Sequence, residues 1–375
     1  MKLRFLCRRA LIAALAILLC AGATGAKDGY RKVAAPCGLS FPEDHGAHRE
    51  YRTEWWYYTG NVESEDSEPF GFQLTFFRTA LRPPAAAPED LPSAWRADQL
   101  FIAHAAVTDV TRKIHLKAET AAREALDLAG ARTEGETVEV FTRAWSARIG
   151  SESHRLSAAS EDFSIDLFLT PQKPPVLHGE NGYSRKGTGR DRASCYYSFS
   201  RLGADGKIHV GDRAWKVTGT AWMDHEFSTA PLAPGLAGWD WFSLQLSDRT
   251  ELMVFFLRKT DGEIHAASAG TFVDPSGETI GLTRRQLAVE VLDRWKSQDS
   301  NAVYPVRWRL STSGPDLALQ IRARIDNQEM DTRQTTGVVY WEGSVTAEGT
   351  AAGRPVSGTG YVEMTGYDQP FDAPM

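Results

Sequence analysis

An all-β chain built as two related antiparallel barrels or sandwiches in tandem is what this sequence predicts, and three observations carry the prediction. Stretches with apolar residues at every second position, the mark of a half-buried strand, recur along the chain. Only one segment, Ala118 to Ala129 before Gly130, has the Ala, Glu and Leu content and the glycine stop of a helix. An aromatic strand pair also occurs twice, about one domain-length apart. Many strands, short turns and few helices point to barrels or sandwiches.

In chain order, Lys2, Arg4, Arg8 and Arg9 precede an apolar run from Ala10 to Leu19 and small residues through Ala26. This is the layout of a cleaved signal peptide, expected over residues 1–26, by the Sec or the twin-arginine route. A retained anchor is the weaker reading, because the run is half the length that spans a bilayer. Lipidation at Cys20 is disfavoured by Leu19 before it, and membrane association is expected only if the chain is lipidated. Removing the four leader cations takes the formal charge from −6 to −10, a balance that repels nucleic acid. The expected location is therefore exported, periplasmic, with no nucleic-acid partner. Cys37 and Cys195 lie outside the leader, where one disulfide could tie an N-terminal arm at 27–40 to the first domain; two separate buried thiols are the alternative.

Alternation is clearest at Phe163–Leu169, Trp215–Met223, Val306–Leu310 and Leu317–Ile321. Irregular stretches at Arg82–Pro92 and Pro171–Ala193 read as long loops. The second, with His178, Glu180, Asn181, Tyr183 and Arg185, is either a lid at a barrel mouth or a solvated connector. EWWYYTGNV at 54–62 and FGFQLTFFR at 70–78 are echoed by WDWFSLQL at 239–246 and ELMVFFLR at 251–258, with Trp239 lying 184 residues after Trp55. That offset is a domain duplication, not a solenoid. The seam is expected between Met223 and Gly238, giving a first domain at 41–226 and a second at 227–375.

Four groups of segments carry a resemblance over nearly all the chain after the leader: the first aromatic pair; FIAHAAVTD at 101–109; AWMDHEFS at 221–228 with GWDWFSLQL at 238–246; and VYWEGSVTAEG at 339–349 with GTGYVEMTGY at 358–367. Together and in this order they resemble the AttH proteins and the carotenoid 1,2-hydratases. The resemblance implies two tandem lipocalin-like barrels that handle a hydrophobic molecule at the cell envelope, with an ABC exporter system as a partner. It places the site at Asp224, His225 and Glu226, walled by Trp222, Trp239 and Trp241. The hydratases of this family read His-Asn-Trp where this chain has His225-Glu226-Phe227. Their proposed acid, an Asp two residues after a Tyr, has no counterpart in ELMVFFLR, which offers Phe256 and Arg258.

Hydrating an alkene requires a carboxylic acid kept protonated by apolar surroundings, aromatic faces for the cation, and an admitted water. Strand alternation places Asp224 and Glu226 on one face and His225 on the other, with Trp56, Trp239 and Trp241 available to stabilise positive charge. The competing reading makes this cluster a hydrogen-bonded pin at the domain junction. Gln73, Arg78 and Arg258 are candidate ligands for a polar head group, or else barrel-end partners of Glu54, Asp240 or Glu342. His45-x-x-His48 with Glu50 has metal-ligand residue types but no strong further donor, so neither metal nor cofactor is predicted. His104 reads as a satisfied core histidine. No zinc-protease helix, GxSxG elbow, P-loop or GxGxxG occurs. The preferred reading is a carrier of a lipid- or isoprenoid-type ligand; a hydro-lyase is the alternative, and a structural envelope protein with filled barrels is the third.

Overall fold

The computed structural model describes residues 29–84, 96–189, 191–230 and 232–371. The signal segment and most of the 82–92 loop lie outside the described residues. The first sheet holds β1 (Thr53–Ser64), β2 (Pro69–Ala80), β3 (Gln99–Asp109), β4 (Ile114–Arg123), β5 (Ala129–Glu134), β6 (Thr137–Thr142), β7 (Trp145–Ile149), β8 (His154–Ala159), β9 (Phe163–Pro171), β10 (Val176–Leu177), β11 (Tyr183–Arg185), β12 (Ala193–Val210) and β13 (Arg213–Ser228). The second holds β14 (Leu236–Leu246), β15 (Glu251–Lys259), β16 (Ala269–Val273), β17 (Thr279–Thr283), β18 (Leu287–Lys296), β19 (Val303–Thr312), β20 (Leu317–Ala323), β21 (Glu329–Thr332), β22 (Val338–Ala351) and β23 (Arg354–Met364).

Both sheets are antiparallel and share one order at their centres: β4-β3-β2-β1-β13-β12 in the first, β17-β16-β15-β14-β23-β22 in the second. The aromatic echo therefore marks equivalent strands, β1 with β14 and β2 with β15. In the first sheet β5 and β6 come round against β3 and β4, so it nearly closes into a barrel. Each interior is filled: Trp56, Tyr58, Phe72, Leu74, Phe76 and Met223 belong to the first core, and Phe242, Leu244, Phe256, Trp308 and Trp341 to the second. Residues one step out of phase, among them Tyr57, Trp222, Trp241, Met253, Phe255 and Tyr361, pack between the two sheets. Their meeting needs small groups: a Cβ on Gly71 of β2 would come within 2.7 Å of Ser344 Cβ on β22. Buried Glu251 of β15 fastens the interface, accepting from Arg201 Nε at 2.5 Å and Lys173 Nζ at 2.7 Å.

Two expectations change. Residues 118–129 are not a helix but the end of β4, a turn, and the start of β5. Ala118 pairs with Ala105 of β3, while Leu116, Ala118 and Ala122 all face the core. Period-two burial and the open edge of β3 outweigh the helix preference of alanine. Segment 171–193 is not a free lid, because β10 and β11 pair with β12 and His178 is buried between Thr271 (2.8 Å) and Ser198 (2.6 Å). Strand β13 ends at Ser228 and β14 begins at Leu236.

Cys37 and Cys195 form a disulfide, with Cα atoms 5.8 Å apart across 158 residues of sequence. It pins the arm, through Val33 and Leu39, against Phe227 and Tyr183. Replacing both cysteines by serine should lower stability by about 2–4 kcal/mol, read by urea unfolding; an unchanged midpoint would mean that the apolar contacts of the arm suffice.

Candidate functional site

Between the sheets, where the outward residues of β1, β2 and β13 face those of β14, β15, β22 and β23, lies a cavity of about 160 Å³. Its walls are aromatic, with Trp55, Tyr57, Tyr196, Trp239, Trp241 and Phe255, yet four carboxyl side chains line it: Asp224, Glu226, Glu342 and Glu363. Strand register explains the arrangement. Asp224 stands opposite Tyr57 of β1, and Glu363 stands opposite Trp241 of β14. Because β13 is to β1 what β23 is to β14, the two acids occupy equivalent positions in the two sheets. On the next strand over, Ser198 neighbours Asp224 in the first sheet and Glu342 neighbours Glu363 in the second.

These carboxyls differ in what holds them. Asp224 accepts from Trp222 Nε1 at 2.6 Å, Tyr196 Oη at 2.7 Å and the Ser198 hydroxyl. Burial nevertheless pushes it up to about 7, those three donors resisting. The Tyr196 hydroxyl is itself held by Trp241 Nε1 at 3.0 Å. Glu226 accepts from Ser194 and pairs with Lys186 Nζ at 3.0 Å, whose ammonium lies 4.1 Å from the centre of the Phe255 ring. Glu342 and Glu363 are direct cross-strand neighbours. Burial, reinforced by Glu363, drives Glu342 well above the usual carboxylate range, and burial with the charge of Asp224 takes Glu363 up to about 8. At neutral pH this pair therefore retains protons. Two buried atoms at the same place, Glu342 Oε1 and Tyr57 Oη, make no hydrogen bond of good geometry among the described residues. Buried polar atoms are seldom left so, and here they face the cavity.

Of the sequence-predicted residues, Asp224, Glu226, Trp239 and Trp241 line this cavity and Trp222 buttresses it through Asp224. The others do not reach it. His225, one step out of phase, points into the first barrel and bonds Glu54 at 2.8 Å and Tyr197 at 3.0 Å. Trp56 is core, donating to the His45 carbonyl at 2.9 Å. Arg78 closes the end of the first barrel on Glu54 at 2.7 Å and Gln99 at 2.6 Å, and in the second sheet Arg258 bonds Asp240 at 2.8 Å. Gln73 stops one residue pair short of the cavity, donating at 2.5 Å to Thr75, which does line it. The alternation that gave Asp224 also sets Tyr340 and Glu342 outward on either side of core Trp341. A glutamate inside the aromatic run VYWEGSV was the available signal for it.

Glu50 pairs with Arg31 at the surface. The groups that approach as metal donors are instead His48, Glu54 and His225, within 4.8 Å of one another. Glu54 already accepts from both histidines and from Arg78, and His48 Nε2 is taken by Asp44 at 2.8 Å. This set fits a hydrogen-bonded ion network and not a cation site, since Arg78 supplies the positive charge.

The pattern of the AttH-like family matches residues 32–367. The crystal structure of an AttH-type protein from Nitrosomonas europaea is 40% identical, covers 90% of this chain and 99% of its own, and superposes with a TM-score of 0.79. Kievitone hydratase from Nectria haematococca shares the fold at 15% identity and a TM-score of 0.66, covering 91% of this chain and 97% of its own. The dehydratase asqC of Emericella nidulans is 20% identical over 216 residues, 56% of this chain; the match spans 60% of that relative's length.

Proposed function

The chain belongs to the AttH-like family, and from that membership and its intersheet cavity we propose that it binds a hydrophobic ligand between the sheets and adds or removes water at a carbon–carbon double bond. One observation carries this: two facing glutamates, Glu342 buried and Glu363 half-buried, open on an aromatic cavity, and the Glu342 carboxyl meets Tyr57 there without a hydrogen bond of good geometry. A passive apolar carrier has no use for three buried carboxyls and a half-buried fourth, each costly to desolvate. The barrel interiors, where a carrier's ligand was expected, are filled. The reading also agrees with the dehydratase and hydratase names among the relatives.

In the hydration direction Glu342, sharing its proton with Glu363, delivers it to an alkene carbon. The π electrons become the new C–H bond, and the cation left on the adjacent carbon rests against the faces of Tyr57, Trp239 and Trp241. Water adds its oxygen there and gives its surplus proton to Asp224, whose position near 7 suits a base at neutral pH. Dehydration is the reverse. The substrate class is an isoprenoid-type alkene or tertiary alcohol, with a polar group to meet Glu342 Oε1 and Tyr57 Oη.

Incubating the protein with isoprenoid alkenes and tertiary isoprenoid alcohols in heavy-oxygen water should place label in the product, followed by mass spectrometry. Tight binding across that panel with no label in any compound would return the protein to the carrier class. Export is proposed with it, supported by the leader-like residues 1–26 and by the Cys37–Cys195 disulfide, which suits an oxidising compartment. An ABC exporter as partner is proposed on the resemblance alone.

A further inference from the structure

One buried group on the cavity wall has no part in that chemistry. His104 of β3 is 1% exposed, and burial takes it down to about 3, so it is neutral. Both ring nitrogens meet hydroxyls of the other sheet: Nδ1 lies 3.0 Å from Tyr340 Oη, and Nε2 lies 3.0 Å from Thr335 Oγ1. On the inner side Tyr340 and Glu342 stand two residues apart on the same face of β22, both on the cavity lining. On the outer side the Thr335 hydroxyl donates to Glu119 Oε2, which also accepts from the Thr335 amide at 3.0 Å. Glu119 lines a surface groove with Lys117, Asp331 and Arg333.

We propose that Tyr340, His104 and Thr335 form a proton relay joining the cavity acid Glu342 to Glu119 in the surface groove. The proposal rests on the acid–base reading of the cavity. Every link can both give and take a proton, so the chain has two balanced states. In one, Glu342 carries the proton and donates to Tyr340, Tyr340 to His104 Nδ1, His104 Nε2–H to Thr335, and Thr335 to ionised Glu119. Shifting each proton one bond along leaves Glu342 ionised and Glu119 protonated, His104 having changed tautomer. One proton has crossed, and no group has gained a second. Such a path answers a need of the chemistry: each hydration leaves Glu342 one proton short and Asp224 with one to release, so while Asp224 gives its proton to the water that refills the cavity, bulk water resupplies Glu342 through Glu119. The two hydroxyls satisfy the buried ring, and because each can donate or accept they also let it change tautomer in place. Because His104 and Glu119 belong to the first sheet and Tyr340 and Thr335 to the second, the relay exists only when the sheets are docked.

The test is infrared spectroscopy of the protonated carboxyl stretch of Glu342, assigned by its loss in Glu342→Gln, timed as it shifts on transfer into D2O. In His104→Phe and in Thr335→Val, which removes only one hydroxyl near the surface, exchange should slow by about tenfold or more. Turnover of any substrate found should show an increased solvent isotope effect in both, with ligand affinity unchanged in Thr335→Val, which lies outside the cavity lining. Wild-type exchange rates in the Thr335→Val protein would overturn the relay, whether or not His104→Phe folds. Slowed exchange together with no label incorporation in the wild type would sink the hydration reading and leave the relay standing.

Discussion

Glu342→Gln is expected to lower turnover by about 10²–10⁴-fold, the range for losing a general acid, while changing ligand affinity by only a few fold. The amide keeps the shape and the polar contact with Tyr57 but has no proton to deliver. Glu363 cannot substitute fully, because the buried carboxyl oxygen at the cavity that lacks a hydrogen bond of good geometry belongs to Glu342. The pH dependence of kcat/KM gives the same assignment an independent reading. Asp224 must be ionised to accept the proton of water, so the rate should rise as pH passes about 7. Glu342 must hold its proton, so the rate should fall again on the alkaline side, once the acid that burial and Glu363 raise well above the carboxylate range is ionised. Asp224→Asn should lower the height of the bell while removing its acidic limb. A Glu342→Gln protein with near wild-type turnover would move the acid elsewhere.

How far the sequence revealed this site depended on strand phase. Wherever a strand alternated cleanly the assignment of faces was legible: Asp224 and Glu226 face the cavity and His225 the barrel, as the spacing in AWMDHEFS requires. In the echo EWWYYTGNV the apolar run is continuous, because both faces are buried, one in a barrel and one between the sheets. Phase cannot be read from such a run, which is why Trp56 stood as a wall residue where Trp55 and Tyr57 are the ones that line the cavity. Glu342 and Glu363 were hidden for a different reason. They are far from Asp224 in sequence, and only the docking of two duplicated sheets brings them together. Arg78 and Arg258 were legible as strand-end partners of Glu54 and Asp240, since equivalent strands end alike. The helix at 118–129 was misjudged because alanine content says little where an open strand edge awaits a partner.

The barrel-end network is where stability should be most sensitive. Arg78 and Glu54 are both fully buried, and Glu54 is also the acceptor for His48 at 2.7 Å and His225 at 2.8 Å. Burial alone would raise Glu54, but the two histidines and Arg78 together hold it well below its ordinary 4.5. Arg78→Met leaves that carboxylate without its permanent cation and should cost about 3–5 kcal/mol, measured by urea unfolding at pH 6. Pairing it with Glu54→Leu should recover much of the loss, because a matched apolar pair strands no charge; a double variant worse than either single would show that the histidines and carbonyls, not the charges, are what the network serves. The pH course has a definite sign. Glu54 has a depressed folded pKa, so its contribution is present above 4.5 and is lost as pH falls below it. His48, which Asp44 and Glu54 raise to about 9 against burial, contributes fully below its ordinary 6.5 and loses that contribution as pH climbs to about 9. The network is therefore strongest between about 4.5 and 6.5, and His48→Asn should flatten the alkaline limb of the stability profile while leaving the acid limb in place.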